Sequence, residues 1–391
     1  MDKAKVMDWV QKYTMVLCLI LVSGFFAWQT GGKILLPQNI TNIVAQNAYV
    51  FVLAVGMLLC ILTGGNIDLS VGSVVCFVGA VGAMLMVKMG VNMWVAVLAM
   101  LIVGTLIGAL QGFWIAYVKV PPFIVTLAGM LIFRGLSNVV LQGQTVSLTD
   151  QTFIQIFGGG ANCYFPDIFG GGEGTNMLSL VVGGIIAVAY IGCQAWARKN
   201  RIDKGYEVES MSSYIVKNVC VVGVVIFFFY QFSQYKGIPT ALVWVALVIG
   251  IYTFITAKTT VGRHFYAVGG NEKATKLSGI NTKRIYFIAY TNMGLLSALA
   301  GMLTIARMTS AQPTYGTNYE MDAIGACFIG GASAYGGVGT VPGVIIGAVL
   351  LGVINIGMSI MGVDANYQRV VKGAVLLAAV IFDVVSKQKK A

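Results

Sequence analysis

A short polar segment between two apolar runs carries the side chains best suited to chemistry inside a membrane. Asn66, Asp68 and Ser70 alternate with apolar residues there and follow a pair of glycines. Polar groups are costly in hydrocarbon, and transporters place broken helices where polar cargo passes. Asp68 could equally cap the helix that follows by accepting backbone N–H bonds. The sequence leaves both roles, pathway and cap, open.

A second polar break contains Glu320 and Asp322 and leads into a glycine-rich stretch that ends near residue 339. Acidic residues are favoured at a helix start by the helix dipole, so the two acids fit a helix N-terminus as well as a pathway. The glycines fit either a broken helix or a turn. We take Glu320 and Asp322, together with the first group, as candidate residues of a translocation path.

A third polar segment, residues 262–281, predicts a short helix outside the membrane. Asn271 can cap its start, Glu272 and Lys276 complement the two ends of its dipole, and Gly279 can supply a left-handed stop. A helix this short is marginal alone in water. We therefore expect it to dock on another surface.

The chain has few of the residues on which common enzyme mechanisms depend. His264 is the single histidine, which excludes a histidine triad or a multi-histidine metal site. The seven cysteines form no C-x-x-C pair and are interpreted as small hydrophobic residues. The only Gly-Lys pair is Gly32-Lys33, followed by Ile34, so the phosphate-binding loop is missing. We expect no enzyme activity, no cofactor and no metal, with any ATP hydrolysis on another chain.

The composition places these segments in lipid. Of the 391 residues, 58% are hydrophobic and 10% are charged, against a soluble norm of about 45–50% hydrophobic. The net charge of +11 lies in short stretches between apolar runs, as the positive-inside rule expects. Membrane loops therefore explain the basic charge, and we expect no nucleic-acid partner.

The apolar runs predict an all-α, polytopic membrane bundle of about 10 to 12 spans that forms a single domain over residues 1–391. The segments around 64–88 and 321–340 are short or glycine-rich and could be broken or re-entrant helices. The first run offers no small-x-small cleavage site, so we interpret it as a span. The candidate spans are 14–31, 43–63, 70–88, 93–117, 123–141, 177–197, 217–235, 239–257, 285–308, 321–338, 341–361 and 367–385.

Basic residues predict the sidedness of the loops. Those in the loops 198–217 and 258–284 place both loops in the cytoplasm. Lys3, Lys5 and Lys12 before the first run place the N-terminus in the cytoplasm. Lys387, Lys389 and Lys390 place the C-terminus there too, as an even number of spans requires. The segment 142–176, with little positive charge, becomes a periplasmic loop.

Glycines at every fourth position predict close helix packing. They are Gly104, Gly108 and Gly112 in one run and Gly343 and Gly347 in another. Such glycines let helix backbones approach in lipid, either within one subunit or between two.

Two isolated groups of basic residues lie in apolar runs. Arg134 could pair with a buried acid or reach an interface. Arg369 and Lys372, near Asp364, are interpreted as an interfacial anchor.

Four ordered motifs together resemble the permease subunits of bacterial sugar ABC importers of the ribose, xylose and galactose type. They are Ile67–Ser73, Val120–Leu127 with Arg134-Gly135, Gly262–Asn281 and Glu320–Gly339. The long segments 142–176 and 198–217 resemble the xylose or multiple-sugar branch. The chain departs from many relatives at Lys273-Ala274-Thr275, where an acid and two alanines are usual.

The resemblance implies a permease that moves a monosaccharide, a pentose or hexose, inward across the bacterial inner membrane by alternating access. It also implies separate ATPase subunits, a periplasmic sugar-binding protein and a second permease copy. In that family the loop 258–284 is the element that meets the ATPase. The residues it would carry over to that role are Gly262, Arg263, Gly269, Gly270, Asn271, Glu272, Ala274 and Gly279.

Two other transporter classes stay open. One is an ABC permease for branched-chain amino acids, which shares the architecture. The other is an ion- or proton-coupled secondary transporter, for which Asp68 is the one good intramembrane acid. A passive channel is less well supported because the chain has no aromatic or charged rings that define a filter.

Overall fold

The protein is a helical bundle. A computed structural model describes residues 3–158, 163–170 and 174–388. Parts of the predicted outer loop, residues 159–162 and 171–173, and the terminal Lys389 and Lys390 lie outside the described residues. The helices are α1 (Lys3–Gln29), α2 (Pro37–Gln46), α3 (Ala48–Leu62), α4 (Val71–Ala83), α5 (Met93–Phe113), α6 (Pro122–Leu141), α7 (Gln151–Phe157), α8 (Met177–Asp203), α9 (Met211–Ser233), α10 (Thr240–Lys258), α11 (Thr260–Gly270), α12 (Glu272–Leu277), α13 (Thr282–Met308), α14 (Tyr319–Ile329), α15 (Val341–Ile360) and α16 (Ala365–Gln388). Two-residue strands, β1 (Val146–Ser147) and β2 (Ser310–Ala311), pair antiparallel.

Within the described residues, eight helices are long and apolar enough to cross a membrane. A ninth span results if α2 and α3, which are bent by 45° at their junction, count as one. A shorter apolar helix covers Met15–Gln29. These helices confirm the predicted polytopic bundle. The eight are α4 and α5 with their π-helical extensions to Lys88 and Val118, α6, α8, α9, α10, α13 and α15.

The two predicted breaks have different structures. Residues 63–70 are non-helical, and α4 then continues as one helix, so this break is confined to a few residues. The predicted span 321–338 is instead the short helix α14 followed by a non-helical segment, residues 330–340. Four glycines of that segment, at 331, 336, 337 and 339, have positive φ angles, which glycine adopts without the steric cost of a Cβ. The glycines therefore mark a broken helix.

Helix α13 forms the centre of the larger compact unit, residues 1–34, 43–163 and 240–391. A Cβ on Gly104 would lie 2.7 Å from the Ala298 Cβ, and one on Gly108 would lie 2.3 Å from the Tyr290 carbonyl oxygen. A Cβ on Gly347 would lie 2.1 Å from the Ala326 carbonyl oxygen. Both predicted glycine series therefore pack helices within one chain.

The second compact unit, residues 35–42 and 164–239, consists mainly of the α8–α9 hairpin. Gly183 lets α8 approach α9, since a Cβ there would lie 2.6 Å from the Phe229 Cβ. The non-helical connection covers only residues 204–210, because α8 and α9 extend into the predicted loop 198–217. Arg198 ties the helix ends together by stacking over Tyr214, 4.8 Å from the ring centroid.

The isolated basic residues of the larger unit have partners that the sequence did not reveal. Arg134 is half-buried and donates to the carbonyl oxygens of Pro313 and Tyr315 at 3.2 and 2.6 Å, so neither an acid nor an interface is needed to explain it. Lys372 pairs with Asp322 at 2.9 Å. This partner comes from α14, and the interpretation of Lys372 as an interfacial anchor did not include it.

Candidate coupling and translocation site

Asp68 organises the break before α4. Its Oδ1 accepts hydrogen bonds from the Ser70 backbone N–H at 2.8 Å and from the Ser70 hydroxyl at 2.7 Å. Asp68 is 3% exposed, and Ser70 is fully buried. The carboxylate therefore stabilises the turn that leads into the helix, while Ser70 itself occupies the N-cap without a side-chain cap bond.

Gln111 of α5 completes this buried polar cluster. Its Nε2 donates to the Ser70 hydroxyl at 2.9 Å. Gly129 of α6 lies against the same amide, since a Cβ there would be 2.4 Å from Nε2. Asn66 lies nearby in sequence and donates to the Thr63 hydroxyl at 3.2 Å. The structure thus brings Asp68 and Ser70 together with a glutamine that sequence analysis did not select.

Glu320 approaches the same turn from α14, whereas Asp322 does not. A Cβ on Gly72 would lie 2.5 Å from Glu320 Oε2, which places the carboxylate against the first turn of α4. Asp322 faces a cavity of about 510 Å³ between α14 and α16. There its carboxylate binds Lys372 and accepts from the Tyr49 hydroxyl at 2.8 Å. The five path candidates therefore divide into two groups.

The polar segment after α10 begins with α11, a helix that sequence analysis did not predict. The Thr259 hydroxyl caps it by accepting from the Gly262 N–H at 3.1 Å. Phe265 and Val268, three residues apart, bury one face. The Tyr266 phenol donates to the Gly339 carbonyl at 2.9 Å, and burial raises the pKa of this phenol.

Gly269 locks α11 onto the end of α3. A Cβ at this position would lie 1.8 Å from the Leu62 carbonyl oxygen and 2.4 Å from the Gly337 nitrogen. Gly337 in turn donates its N–H to the same Leu62 carbonyl at 3.1 Å. A Cβ on the adjacent Gly270 would meet no atom within 4 Å. Of the two glycines, only Gly269 is required by close backbone contact.

Helix α12 matches the predicted short helix. Asn271 Oδ1 accepts from the Ala274 N–H at 3.0 Å, and Gly279 adopts a φ of +85° after the last turn. The Thr275 hydroxyl is buried against α11 and donates to the Ala267 carbonyl at 2.8 Å. The opposite face is exposed and carries lysines at 273 and 276 and Leu277, which is 90% exposed.

Glu272 ties α12 to the start of α13. Its Oε1 accepts from the Thr282 hydroxyl at 3.1 Å, and its Oε2 accepts from the Tyr286 phenol at 3.1 Å. Lys119, at the end of α5, lies 3.9 Å from Oε1 and 5.5 Å from the Tyr286 ring centroid. The ion pair is half-exposed and contributes little by itself. The two hydrogen bonds therefore fix the carboxylate.

Sequence analysis missed Gln111, Lys119, Tyr286 and the pairing of Lys372. Gln111 had a usable signal, because it is a lone amide in an apolar run. The other three act through partners distant in sequence, and no local pattern marks such contacts.

Comparison with known proteins places the chain in a family of transport permeases. Residues 39–380 match the model of the branched-chain amino acid transport system permease component. The chain belongs to this family. No solved structure matches it.

Several proteins similar to this chain are named as sugar permeases. The chain is 37% identical to the xylose transport system permease protein XylH of Haemophilus influenzae, over 97% of this chain and 98% of that protein. It is 36% identical to XylH of Escherichia coli K12, over 97% and 93%. It is also 36% identical to the ribose import permease protein RbsC of E. coli K12, over 88% and 85%. The recognised resemblance to sugar permeases is thereby confirmed.

Proposed function

We propose that this protein is the membrane-spanning permease of an ATP-binding-cassette importer that moves a monosaccharide into a bacterial cell. The observation that carries this proposal is the near full-length identity to xylose permeases, in a chain whose eight apolar helices form a membrane bundle. The relatives' names favour a sugar over a branched-chain amino acid. The protein is a multi-pass protein of the inner membrane.

Energy reaches the permease from a separate ATPase that binds the exposed face of α12. The inner face of this helix is held by Thr275, which bonds to α11, and by Glu272, which bonds to α13, so it moves with both helices. The outer face presents an exposed leucine beside cationic side chains. An exposed apolar side chain on a short ordered helix can fill a pocket on a partner protein, and we assign this role to Leu277. Gly262 and Gly269 set the preceding helix, α11, against α10 and α3. Four other residues of the loop 258–284 are exposed: Arg263, Gly270, Ala274 and Gly279.

The sugar passes near the break before α4. Asn66, Asp68, Ser70 and Glu320 concentrate polar groups at this point, where hydrogen-bonding atoms can replace those of water around a sugar hydroxyl. Asp322 borders the separate cavity against α16 and would serve the path only if its pair with Lys372 opens. We assign the first group the closer contact with sugar.

The proposed topology follows the basic loops. The loop 258–284, which contains α11 and α12, faces the cytoplasm with the loop 198–217 and both termini, and the segment 142–176 faces the periplasm. A periplasmic sugar-binding protein delivers the sugar on that side. Two permease copies and ATPase subunits complete the importer.

Reconstitution in proteoliposomes tests this function. The permease is assembled with its ATPase, and uptake of radiolabelled D-xylose, D-ribose, D-galactose and L-leucine is measured with binding protein and ATP. We expect uptake of a pentose or hexose that requires ATP. The matched control is the same complex with an ATPase that cannot hydrolyse ATP.

Two outcomes would overturn the proposal. Sugar uptake driven by a proton gradient without ATP would make the protein a secondary transporter. ATP-dependent uptake of leucine, with none of sugar, would make it an amino acid permease.

A further inference from the structure

The contacts around Tyr286 join α12 to the polar break before α4. We propose that Tyr286 is a positioning residue that transmits movement of α12 to residues 63–70, and so couples ATP hydrolysis to opening of the sugar path. This inference rests on the proposed function. It concerns how two regions of the same chain communicate.

The first half of the connection is the contact with α12. The Tyr286 phenol donates to Glu272 Oε2 at 3.1 Å. Glu272 is the first residue of α12, and its other oxygen is held by Thr282. Hydrogen bonds to a carboxylate are stronger than those between neutral groups. A displacement of α12 therefore acts directly on the phenol.

The second half is the contact with the polar break. The Asn66 amide nitrogen lies 3.9 Å from the position that a Cβ on Gly64 would take. The phenol oxygen also lies 3.9 Å from the position of a Cβ on Gly64. Asn66 is fixed in turn by Thr63, through its backbone oxygen at 3.3 Å and its hydroxyl at 3.2 Å. The phenol oxygen thus donates a hydrogen bond to α12 and lies against the backbone of the polar break.

The break is suited to receive such a signal. Gly64 and Gly65 have φ angles of +120° and +75°, so the backbone is held in conformations that few other residues adopt. Asp68 and Ser70 follow within a few residues and form the turn into α4. A shift of the segment at Asn66 would therefore change the turn that carries the proposed path residues.

Removing the phenol oxygen tests the inference while keeping the ring. The measured quantity is the number of sugar molecules imported per ATP hydrolysed by the complete importer, with D-xylose or whichever test sugar the wild type imports. We expect Tyr286→Phe to lower this ratio about tenfold, which corresponds to roughly 1.4 kcal/mol. Basal ATP hydrolysis and assembly with the ATPase are expected to persist, since the exposed face of α12 is unchanged. A purely structural role would lower both activities in parallel.

Tyr290→Phe is the matched control on the same helix. The Tyr290 hydroxyl is fully buried and has no hydrogen-bond partner among the described residues, so its loss breaks no contact. We expect this variant to keep the wild-type ratio of sugar to ATP. Equal ratios for the two variants would overturn the inference.

A double-mutant cycle identifies the contact. If Tyr286 acts through Glu272, the double variant Tyr286→Phe with Glu272→Gln should import about as much sugar per ATP as the poorer single variant. Fully additive losses would contradict a shared route. If the wild-type complex imports no sugar at all, the proposed function fails instead, so the two failures are distinguishable.

Hydrogen exchange on the purified chain gives a readout that needs no partner. Tyr286→Phe should increase exchange both at residues 63–70 and at α12, whereas Tyr290→Phe should leave these segments unchanged. A change confined to α12 would overturn the proposed link, because the phenol would then hold only one of the two regions.

Discussion

The polar break before α4 and helix α12 are both short polar interruptions between apolar helices, but their hydrogen bonds differ. In the break, Ser70 bonds both to Asp68 and to Gln111 of α5, and all three residues are nearly or fully buried. In α12, the inner face is bonded to neighbouring helices while Leu277 is 90% exposed. Buried polar groups must be satisfied within the chain, whereas an exposed apolar side chain is free to bind a partner. The break before α4 is therefore an internal segment held in place by its own chain, whereas the outer face of α12 is a surface on which a partner can dock.

The largest expected effect comes from the contact between Gly269 of α11, the helix next to α12, and the end of α3, which leads into the break. Gly269→Trp should abolish folding into the native bundle, and Gly269→Ala should lower the free energy of unfolding by about 1–3 kcal/mol, because even a Cβ collides with the Leu62 carbonyl. Thermal unfolding in detergent measures both. Gly270→Ala, in open space, is the control and should be neutral or slightly stabilising. Equal stability of the two alanine variants would refute the tight contact.

Reversing a charge on the inner face of α12 should have the next largest effect. Glu272→Lys removes both hydrogen bonds to α13 and places a cation beside Lys119. We expect sugar uptake to fall by at least about tenfold, because the loss of one hydrogen bond to a charged group costs about that factor. The control, Glu209→Lys, disrupts an exposed pair with Lys217 and should change uptake little. Normal ATP-driven uptake by Glu272→Lys would show that this face has no role in coupling.

The outer face of α12 should affect binding without affecting stability. Leu277→Ser should weaken ATPase binding by about tenfold, corresponding to an anchor of about 1.4 kcal/mol. Its free energy of unfolding should stay within about 0.5 kcal/mol of the wild type, since the side chain is exposed. Binding is measured with the purified ATPase and the permease in nanodiscs. Ser278→Ala serves as the neighbouring control, and equal affinities for both variants would exclude Leu277 as an anchor.

The buried break should tolerate a change that preserves its shape. Asp68→Asn keeps an oxygen that accepts from the Ser70 N–H and hydroxyl, so we expect a stability loss of only about 1 kcal/mol. Asp68→Ala leaves these donors without that acceptor and should cost about 1–3 kcal/mol. Chemical denaturation in detergent distinguishes the two. A larger loss for the asparagine variant would mean that the negative charge itself holds the turn.

Local patterns predicted much of the two regions but little of what connects them. The apolar runs, the Asn271 cap and the Gly279 stop follow from spacing and residue type, and the structure contains them. Helix α11 was missed because its glycines lower helix propensity, although Thr259 offered a capping signal. The Tyr286 contacts were missed because tertiary packing determines them.

Site-specific photo-cross-linking from position 277 tests the central claim most directly. A photoreactive residue replaces Leu277 in the permease, and the complete importer is irradiated with its ATPase and binding protein present. The same residue at Ile168, which is 77% exposed in the segment proposed to face the periplasm, is the control. We predict a cross-link from position 277 to the ATPase and none from position 168. A cross-link from position 277 to the sugar-binding protein, or none to the ATPase in an importer active for uptake, would contradict the account.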